Sequence, residues 1–590
     1  MQDTFQNPIL SGFYPDPSIC RVGEDYYMVT SSFVYFPGLP IFHSRDLVHW
    51  EQIGHGISRP EQLDYKNCET SLGLWAPTIR YHEGIFYIIN TFVSEGREAR
   101  RDNYIITATD PAGPWSNACF IEGADGIDSS LFFDRDGRMW YAGNYISADA
   151  LYEGHHGIYL NELDPKTFQF KGPRTIIWDG IKSRSKWIEA PHIYFENGWY
   201  YLMVAEGGTF TNHSVMMARC RTIDGDYEIC PRNPIVSHRH LSLHREISVV
   251  GHADLVQTQR GEWWMVLLGV RPYQKTTRQS AITGTGKDSQ IVMETGQLNF
   301  TESSKHSGCQ AEEFHTLPGD FVMDHPGDAH FNLGRETFLL PVLWEEDGWL
   351  RVDNDNGLVN RTERRPDLPL FLPKPELSSD NFESPQLHPR WNTIHPAETP
   401  FWSLDARPGC LRLTLLPEEL REICTPAFLG RRQQHREFRM QAAIDFVPQA
   451  EYEEAGLALI QDDRFHYRFT ISLEDGKRVV SVVARQTCRN ALATDNPEDS
   501  SELLLGKEIL PDAATDRVYL TVAATEEGYH FYYGMDDQSF VPVVLRADER
   551  LLSSIVNEGF TGAYLGMYAS SNHRKSDNYA DYDWIIYEGK

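Results

Sequence analysis

The sequence predicts an all-β protein: a five-bladed β-propeller followed by a β-sandwich. Three observations carry that expectation. One hairpin pattern recurs five times in the first half, a Pro-rich run follows it, and short alternating strands fill the rest of the 590 residues. A chain of this length exceeds a single ordinary core, so two domains or more are required.

The five repeats are DPSICRVGEDYYMV from Asp16, APTIRYHEGIFYII from Ala76, DSSLFFDRDGRMWYA from Asp128, APHIYFENGWYYLM from Ala190 and HADLVQTQRGEWWMV from His252. Each opens on two small or polar residues, continues as a short alternating strand, turns at Gly, Asp or Asn, and returns as an aromatic-rich strand, which is a β-hairpin signature. The starts lie 60, 52, 62 and 62 residues apart. Between them runs a further strand with an Asp turn, as in IFHSRDLVHW, YIITATDPAGPW and IYLNELDPKTFQF. Four strands per unit, five times over, read as propeller blades. A stacked solenoid fits less well, because its repeats are usually shorter and more uniform.

The boundaries read from the sequence are a propeller over 1–352 with an atypical polar insert at 272–332, a Pro-rich linker over 353–378, and a sandwich over 379–590. The sandwich rests on runs such as CLRLTLL, FRMQAAIDF, HYRFTIS and RVYLTVAA, each flanked by polar turns.

In a propeller the innermost strands line a central channel, so equivalent positions at their starts converge on one axis. Here those positions are Asp16, Ala76, Asp128, Ala190 and His252, with Trp75 and Glu189 one residue ahead of the two alanines. Three carboxylates, an imidazole and an indole are thus expected to face one pocket from points up to 236 residues apart. Taken singly, Asp16 reads equally well as a turn aspartate, Glu189 as a solvated strand residue and His252 as a core histidine. Their convergence favours a functional reading. Asp46, Asp110, Asp164 and Asp224 sit in blade turns, and Asp134 and Asp136 in a hairpin turn, and all are assigned to bonding backbone amides.

Composition narrows the chemistry. The formal net charge is −30, which disfavours nucleic acid and anionic membranes as partners and suits a neutral substrate. The nine cysteines include no CxxC pair, so neither a disulfide framework nor a zinc site is indicated. No basic leader with an apolar run opens the sequence, and no stretch is long and apolar enough to span a bilayer. Cytoplasmic placement is the expectation, with secretion open if the chain is processed. SHRHLSLHR (237–245) matches no metal spacing and reads as a solvated loop, and TGTGK (283–287) lacks the residues of a phosphate loop. Clustered carboxylates in a dry channel cannot all ionise at their ordinary pKa, so one stays protonated while another is charged. Glycosidic hydrolysis needs that split, an acid for the leaving oxygen and a base for water.

NPILSGFYPDPSIC, GIDSSLF, WIEAPH, GHADLV and LGRETFLLPV, in this order, resemble glycoside hydrolase family 43, in its β-xylosidase and α-L-arabinofuranosidase branch with a C-terminal β-sandwich. The resemblance implies an inverting enzyme in which Asp16 is the general base, Glu189 the general acid, and Asp128 the residue that orients Glu189 and tunes its pKa. It implies that His252 and Arg335 line the subsite for the non-reducing sugar, that Phe33 and Trp75 contact substrate, and that an aromatic of the sandwich, for which Phe560 is the candidate, reaches the active site. Some relatives hold calcium near the equivalent of His252 and others do not, so no cofactor is required and a calcium there is left open. The connection from GVRP (269–272) to LGRETF (333–338) is longer than relatives usually have, which points to a mobile insert or to an artefact of gene prediction. The implied activity is exo-acting release of terminal β-D-xylose from xylooligosaccharides, a xylan 1,4-β-xylosidase. The alternatives are a mainly α-L-arabinofuranosidase and a non-catalytic sugar-binding propeller. The implied partner is a small oligosaccharide, with a homo-oligomer left open.

Overall fold

The computed structural model describes residues 3–65, 68–94, 100–273, 291–292, 329–486, 502–511, 515–557 and 559–590. Among them helix is confined to single turns such as Gly180–Ser183, and no helix is long and apolar enough to cross a membrane. The chain divides into two units. The first comprises 1–272, 333–375 and 392–398, and the second 273–332, 376–391 and 399–590.

The first unit is a β-propeller. Each of the five repeats forms the inner hairpin of its own antiparallel sheet. The inner strands are Ser18–Val22, Gly73–His82, Ser130–Phe133, Glu189–Glu196 and Ser248–Gln257. Each is the edge of a sheet whose main path has four strands among the described residues. The inner strands adjoin one another in sequence order, and the last adjoins the first, so they form a closed ring. Packing around one axis leaves these inner edges short and protected from pairing with another chain. Aliphatic and aromatic side chains fill the space between neighbouring sheets: Leu202, Val204, Ile158 and Trp178 between the third and fourth, and Met265, Leu267, Val215 and Met217 between the fourth and fifth.

The turn aspartates bond backbone amides. Asp46 Oδ1 accepts from the N–H groups of Val48 and His49, Asp164 Oδ1 from those of Lys166 and Thr167, and Asp110 Oδ1 from that of Ala112. The histidine-rich run differs from its expectation at its start, where Ser237 closes a short strand and is buried. His238 is buried, facing the Ile247 carbonyl through Nδ1 and accepting from the Val359 N–H at Nε2, so it ties two segments together instead of lying in solvent. TGTGK and nearly all of the 272–332 segment lie outside the described residues.

The fifth sheet spans that segment. Trp263–Val270 pairs with Glu336–Trp344 in register Gly269↔Glu336, so the strand resumes on the ladder it left. A seam then joins it to the first sheet. Leu10 bridges Thr337, the Tyr14 N–H donates to the Arg335 carbonyl at 3.1 Å, and Thr337 Oγ1 donates to the Tyr14 carbonyl at 2.6 Å. Thr4–Gln6 also pairs with Thr362–Arg364.

The second unit is a β-sandwich. One sheet has six strands in the order Ala427–Arg432, Tyr564–Ser570, Glu454–Asp462, Phe465–Glu474, Lys477–Gln486 and Glu502–Ile509. The facing sheet is built around Phe438–Asp445, flanked by Arg517–Thr525 and Tyr579–Gly589. Alternation sends Met440, Ala442 and Ile444 inward, as the pleat requires. Rings meet across the two sheets, Tyr467 with Phe531 at 5.7 Å and Phe469 with Phe531 at 5.4 Å.

Candidate active site

The aligned repeat positions share a backbone conformation as well as a place. Asp16, Asp128, Ala190 and His252 all have positive φ, between 49 and 56°. Non-glycine residues adopt that left-handed region at a cost of roughly 1–2 kcal/mol each. Ladder register also shifts at Trp75/Thr78, Glu189/His192 and Gly251/Ala253. A bulge at the start of an inner strand re-aims a side chain out of the ladder. Repeating that device around the ring explains how residues from separate sheets share one site.

Asp16 is buried and fully engaged. Ser31 Oγ donates to its Oδ2 at 2.6 Å, Arg335 Nη1 donates to its Oδ1 at 2.8 Å, and His252 Nδ1 lies 3.8 Å from Oδ1. Burial pushes its pKa up, but Arg335, His252, the Ser31 hydroxyl and His213 together outweigh burial and hold it below the usual carboxylate range. Asp16 is therefore charged at neutral pH.

Glu189 and Asp128 are buried in the same site with the opposite outcome. Burial, then the negative charge of Asp16, raises Glu189 to about 8, against the pull of Arg335. Burial, then Glu189 and Asp16, raises Asp128 well above its ordinary value. Among the described residues no side chain hydrogen-bonds either carboxyl group. The Asp128 backbone is fixed nonetheless: its N–H donates to Thr91 Oγ1 at 3.1 Å, and Asn103 Oδ1 accepts from both Thr91 Oγ1 and Ser129 Oγ.

Phe33, expected to contact substrate, is buried, at φ 54°, with its ring 6.2 Å from that of Trp75 and 5.7 Å from the Arg335 guanidinium carbon. Trp75 is half-buried, and its Nε1 donates to the Ser71 carbonyl at 3.1 Å. His252 is buried, and its pKa is lowered by burial despite Asp16. Phe560 belongs to the second unit and is 40% exposed, whereas all the groups above belong to the first.

Sequence reasoning missed Ser31 and His213. Ser31 follows the first hairpin, and only the closed fold shows which serine meets Asp16. The His213 ring lies over Gly251, where an added Cβ would meet it at 2.6 Å, so the glycine of GHADLV makes room for that imidazole.

Deeper on the same inner strands lies a second charged cluster. Asp254 accepts from Ser18 Oγ at 2.6 Å, Tyr194 OH at 2.6 Å, Arg80 Nη1 at 2.8 Å and the Ile19 N–H at 3.1 Å. Arg80 Nη2 also donates to His192 Nδ1 at 2.8 Å, and burial, against the pull of Asp254 and with help from Arg80, keeps that imidazole neutral.

The sequence matches the profile of glycosyl hydrolases family 43 over residues 5–286, and that of a beta-xylosidase C-terminal concanavalin A-like domain over 379–588. It is 36% identical over 586 residues to a non-reducing end alpha-L-arabinofuranosidase of Bacteroides ovatus, covering 99% of this chain and 94% of that one. The chain belongs to glycosyl hydrolase family 43. A second family 43 relative, a xylosidase/arabinosidase of Butyrivibrio fibrisolvens, is 37% identical with 99% of each chain covered. The crystal structure of a xylan beta-1,4-xylosidase from Bacillus halodurans superposes with a TM-score of 0.82 at 32% identity, covering 99% of this chain and 100% of that one. Membership makes the protein a glycoside hydrolase.

Family 43 enzymes are generally cofactor-independent. Among the described residues no group of three or more His, Cys, Asp or Glu is arranged to hold a metal ion. Calcium takes roughly 6–8 oxygen ligands. The two carboxylates whose charge acts on His252 are already committed, Asp16 to Arg335 and Ser31, and Asp254 to Arg80, Ser18 and Tyr194.

Proposed function

We propose that the protein is an exo-acting, inverting glycosidase that releases terminal β-D-xylose from short xylooligosaccharides, with α-L-arabinofuranose as a second substrate. One contrast carries the mechanism: Asp16 is held by Arg335 and Ser31, which favours its charge, while Glu189 is buried near that charge without a side-chain hydrogen bond among the described residues, which favours its proton. Asp16 takes a proton from water as that water attacks the anomeric carbon. Glu189 gives its proton to the glycosidic oxygen as the bond to the leaving sugar breaks. One turnover leaves Asp16 protonated and Glu189 ionised, and exchange with solvent resets both.

Arg335 anchors Asp16 at one oxygen and Ser31 at the other, so the base is fixed before substrate arrives. The unpartnered Glu189 and Asp128 carboxyls are free to meet substrate, with Asp128 orienting Glu189. Phe33, Trp75 and His252 wall the subsite for the terminal sugar. The xylosidase and arabinosidase names among the relatives support this substrate pair. The two sugars present similar hydroxyl patterns to a small pocket, which separates them poorly.

The test is product analysis on xylobiose by NMR. An early excess of α-xylose over its equilibrium share establishes hydrolysis and inversion together, and an early excess of β-xylose overturns inversion. kcat/KM on nitrophenyl β-xyloside against nitrophenyl α-L-arabinofuranoside ranks the substrates, and a dominant arabinofuranosidase reverses their order. Chelation followed by assay tests the independence from calcium.

A further inference from the structure

We propose that Trp187, with Phe210 and Leu151 beside it, is the platform that binds the leaving-group sugar of the oligosaccharide. The inference rests on the assignment of Glu189 as general acid. That residue must touch the glycosidic oxygen, so the departing sugar lies on its side of the pocket.

Strand direction places three loops there. Met139–Ile146 runs antiparallel to Ser130–Phe133 and therefore ends near Asp128. His156–Leu163 leaves from that end and Phe170–Asp179 returns to it, in register Ile146↔His156 and Gly157↔Asp179. Trp199–Glu206 finishes opposite Glu189, in register Glu189↔Ala205. Segments 147–155, 180–188 and 207–213 thus form one stretch of rim beside the acid.

That rim is firmly built and sets exposed apolar groups among charged ones, with the Lys186 ammonium 5.1 Å from the centre of the Trp187 ring. Leu151 is 73% exposed and Phe210 39% exposed, with Trp187 partly exposed among them. Trp187 stands two residues before Glu189 at φ 50°, a strained conformation for so large a residue. Both neighbouring loops hold it. Its N–H donates to the Gly154 carbonyl at 2.8 Å, and the Gly207 N–H donates to the Lys186 carbonyl at 2.9 Å. The indole packs against Gly154 and Gly208, where an added Cβ would meet it at 2.8 and 3.2 Å, so both glycines are needed for the ring to lie where it does. Below it, Tyr152 stacks on His155 at 5.0 Å and donates to the Ser185 carbonyl at 2.8 Å, and His155 Nε2 pairs with Asp179 at 2.9 Å. The ring's position is therefore imposed by its own segment and the two loops beside it. A rigid aromatic edge of this kind suits the C–H face of a neutral sugar. The platform is built from loops of the third and fourth sheets, whereas Asp16 and its anchor Arg335 stand at the seam of the first and fifth. Its effect should therefore be confined to the leaving group.

The experiment compares the KM for xylobiose, which fills both sides of the pocket, with the KM for β-xylosyl fluoride, whose leaving group is a single atom and which therefore fills only the terminal-sugar side. In Trp187→Leu the xylobiose KM is expected to rise roughly tenfold, the effect of removing one aromatic face from a sugar, while the KM for the fluoride stays within about twofold. Trp187→Phe restores most of the difference, which a merely structural role would not. Equal rises in both constants, or no change in either, overturn the proposal. Should Trp187→Leu not fold, the exposed Phe210→Ala carries the same comparison, and an unchanged ratio there overturns it as well. Failure of the substrate assignment is seen separately, as absence of xylobiose hydrolysis by the unaltered chain.

Discussion

Two buried charge clusters occupy the same ring of inner strands, and they differ in one respect. The deeper cluster is saturated: Asp254 receives Ser18, Tyr194, Arg80 and a backbone N–H, and Arg80 also satisfies His192. The upper cluster is saturated only at Asp16, while Glu189 and Asp128 sit buried without side-chain partners among the described residues. A saturated network holds strands in register. An unsatisfied pair of carboxyls stores a demand for a ligand. The difference teaches where structure ends and chemistry begins within a few residues of the same strands, Ser18 against Asp16 and His192 against Glu189.

The largest effect that would sharpen this contrast is the loss of Asp16. Asp16→Asn is expected to lower kcat by about 10³–10⁴, the upper part of the usual range for a general base, with the folded protein retained. A fall of less than tenfold, measured alongside circular dichroism, would remove Asp16 from the mechanism. Glu189→Ala is expected to cost about 10²–10³ on xylobiose but far less on nitrophenyl glycosides, whose leaving groups need little protonation. Equal losses on both substrates would break the acid assignment.

The pH profile follows from the same two residues. Glu189 must be protonated, so kcat/KM falls as pH rises through about 8. Asp16 must be charged, so the acid limb lies below the usual carboxylate range. The alkaline limb should vanish in Glu189→Ala acting on nitrophenyl substrates.

Arg80→Met reverses the pattern. It leaves Asp254 buried without its cation, and one-sided removal of a buried pair costs about 3–5 kcal/mol. Denaturant unfolding of the propeller should register that loss, while turnover per folded molecule changes little. The pKa of Asp254 is depressed in the folded state, so its stabilising contribution is present above the unfolded carboxylate value and lost as pH falls. The smallest effect concerns Asp128. Glu189 is raised by burial and by Asp16 and in turn raises Asp128, so the two carboxyls titrate together and Asp128→Asn should lower the alkaline limb by roughly half a pH unit. An unmoved limb would take the tuning role from Asp128 and leave only the orienting one.

Much of this was legible in the sequence, for a physical reason. A propeller repeats one hairpin, so hydrophobic alternation and turn residues recur at near-constant spacing, and alignment of Asp16 with Asp128 and His252 follows without any knowledge of contacts. Ser31, His213 and the Asn103 relay were not legible, because each acts from a place that has no repeated equivalent. The Arg80–Asp254 pair was hidden for a different reason: its members sit inside hairpins already assigned to strands, and only ring closure brings them together. The left-handed backbone at four repeat positions also escaped the sequence. Asp16 and Ala190 precede prolines, which restricts them away from the helical region without specifying the alternative.

The seam between the first and fifth sheets has a kinetic consequence. Residues 10–14 meet Arg335 and Thr337 across more than 300 positions of chain, and Arg335 is also what anchors Asp16. Contacts of such separation carry the greatest loop-closure cost and form late. A refolding chain would regain its β signal sheet by sheet yet stay inert until this last joint closed. Recovery of turnover should therefore lag recovery of ellipticity, which makes the enzyme's activity a clock for the completion of its own ring.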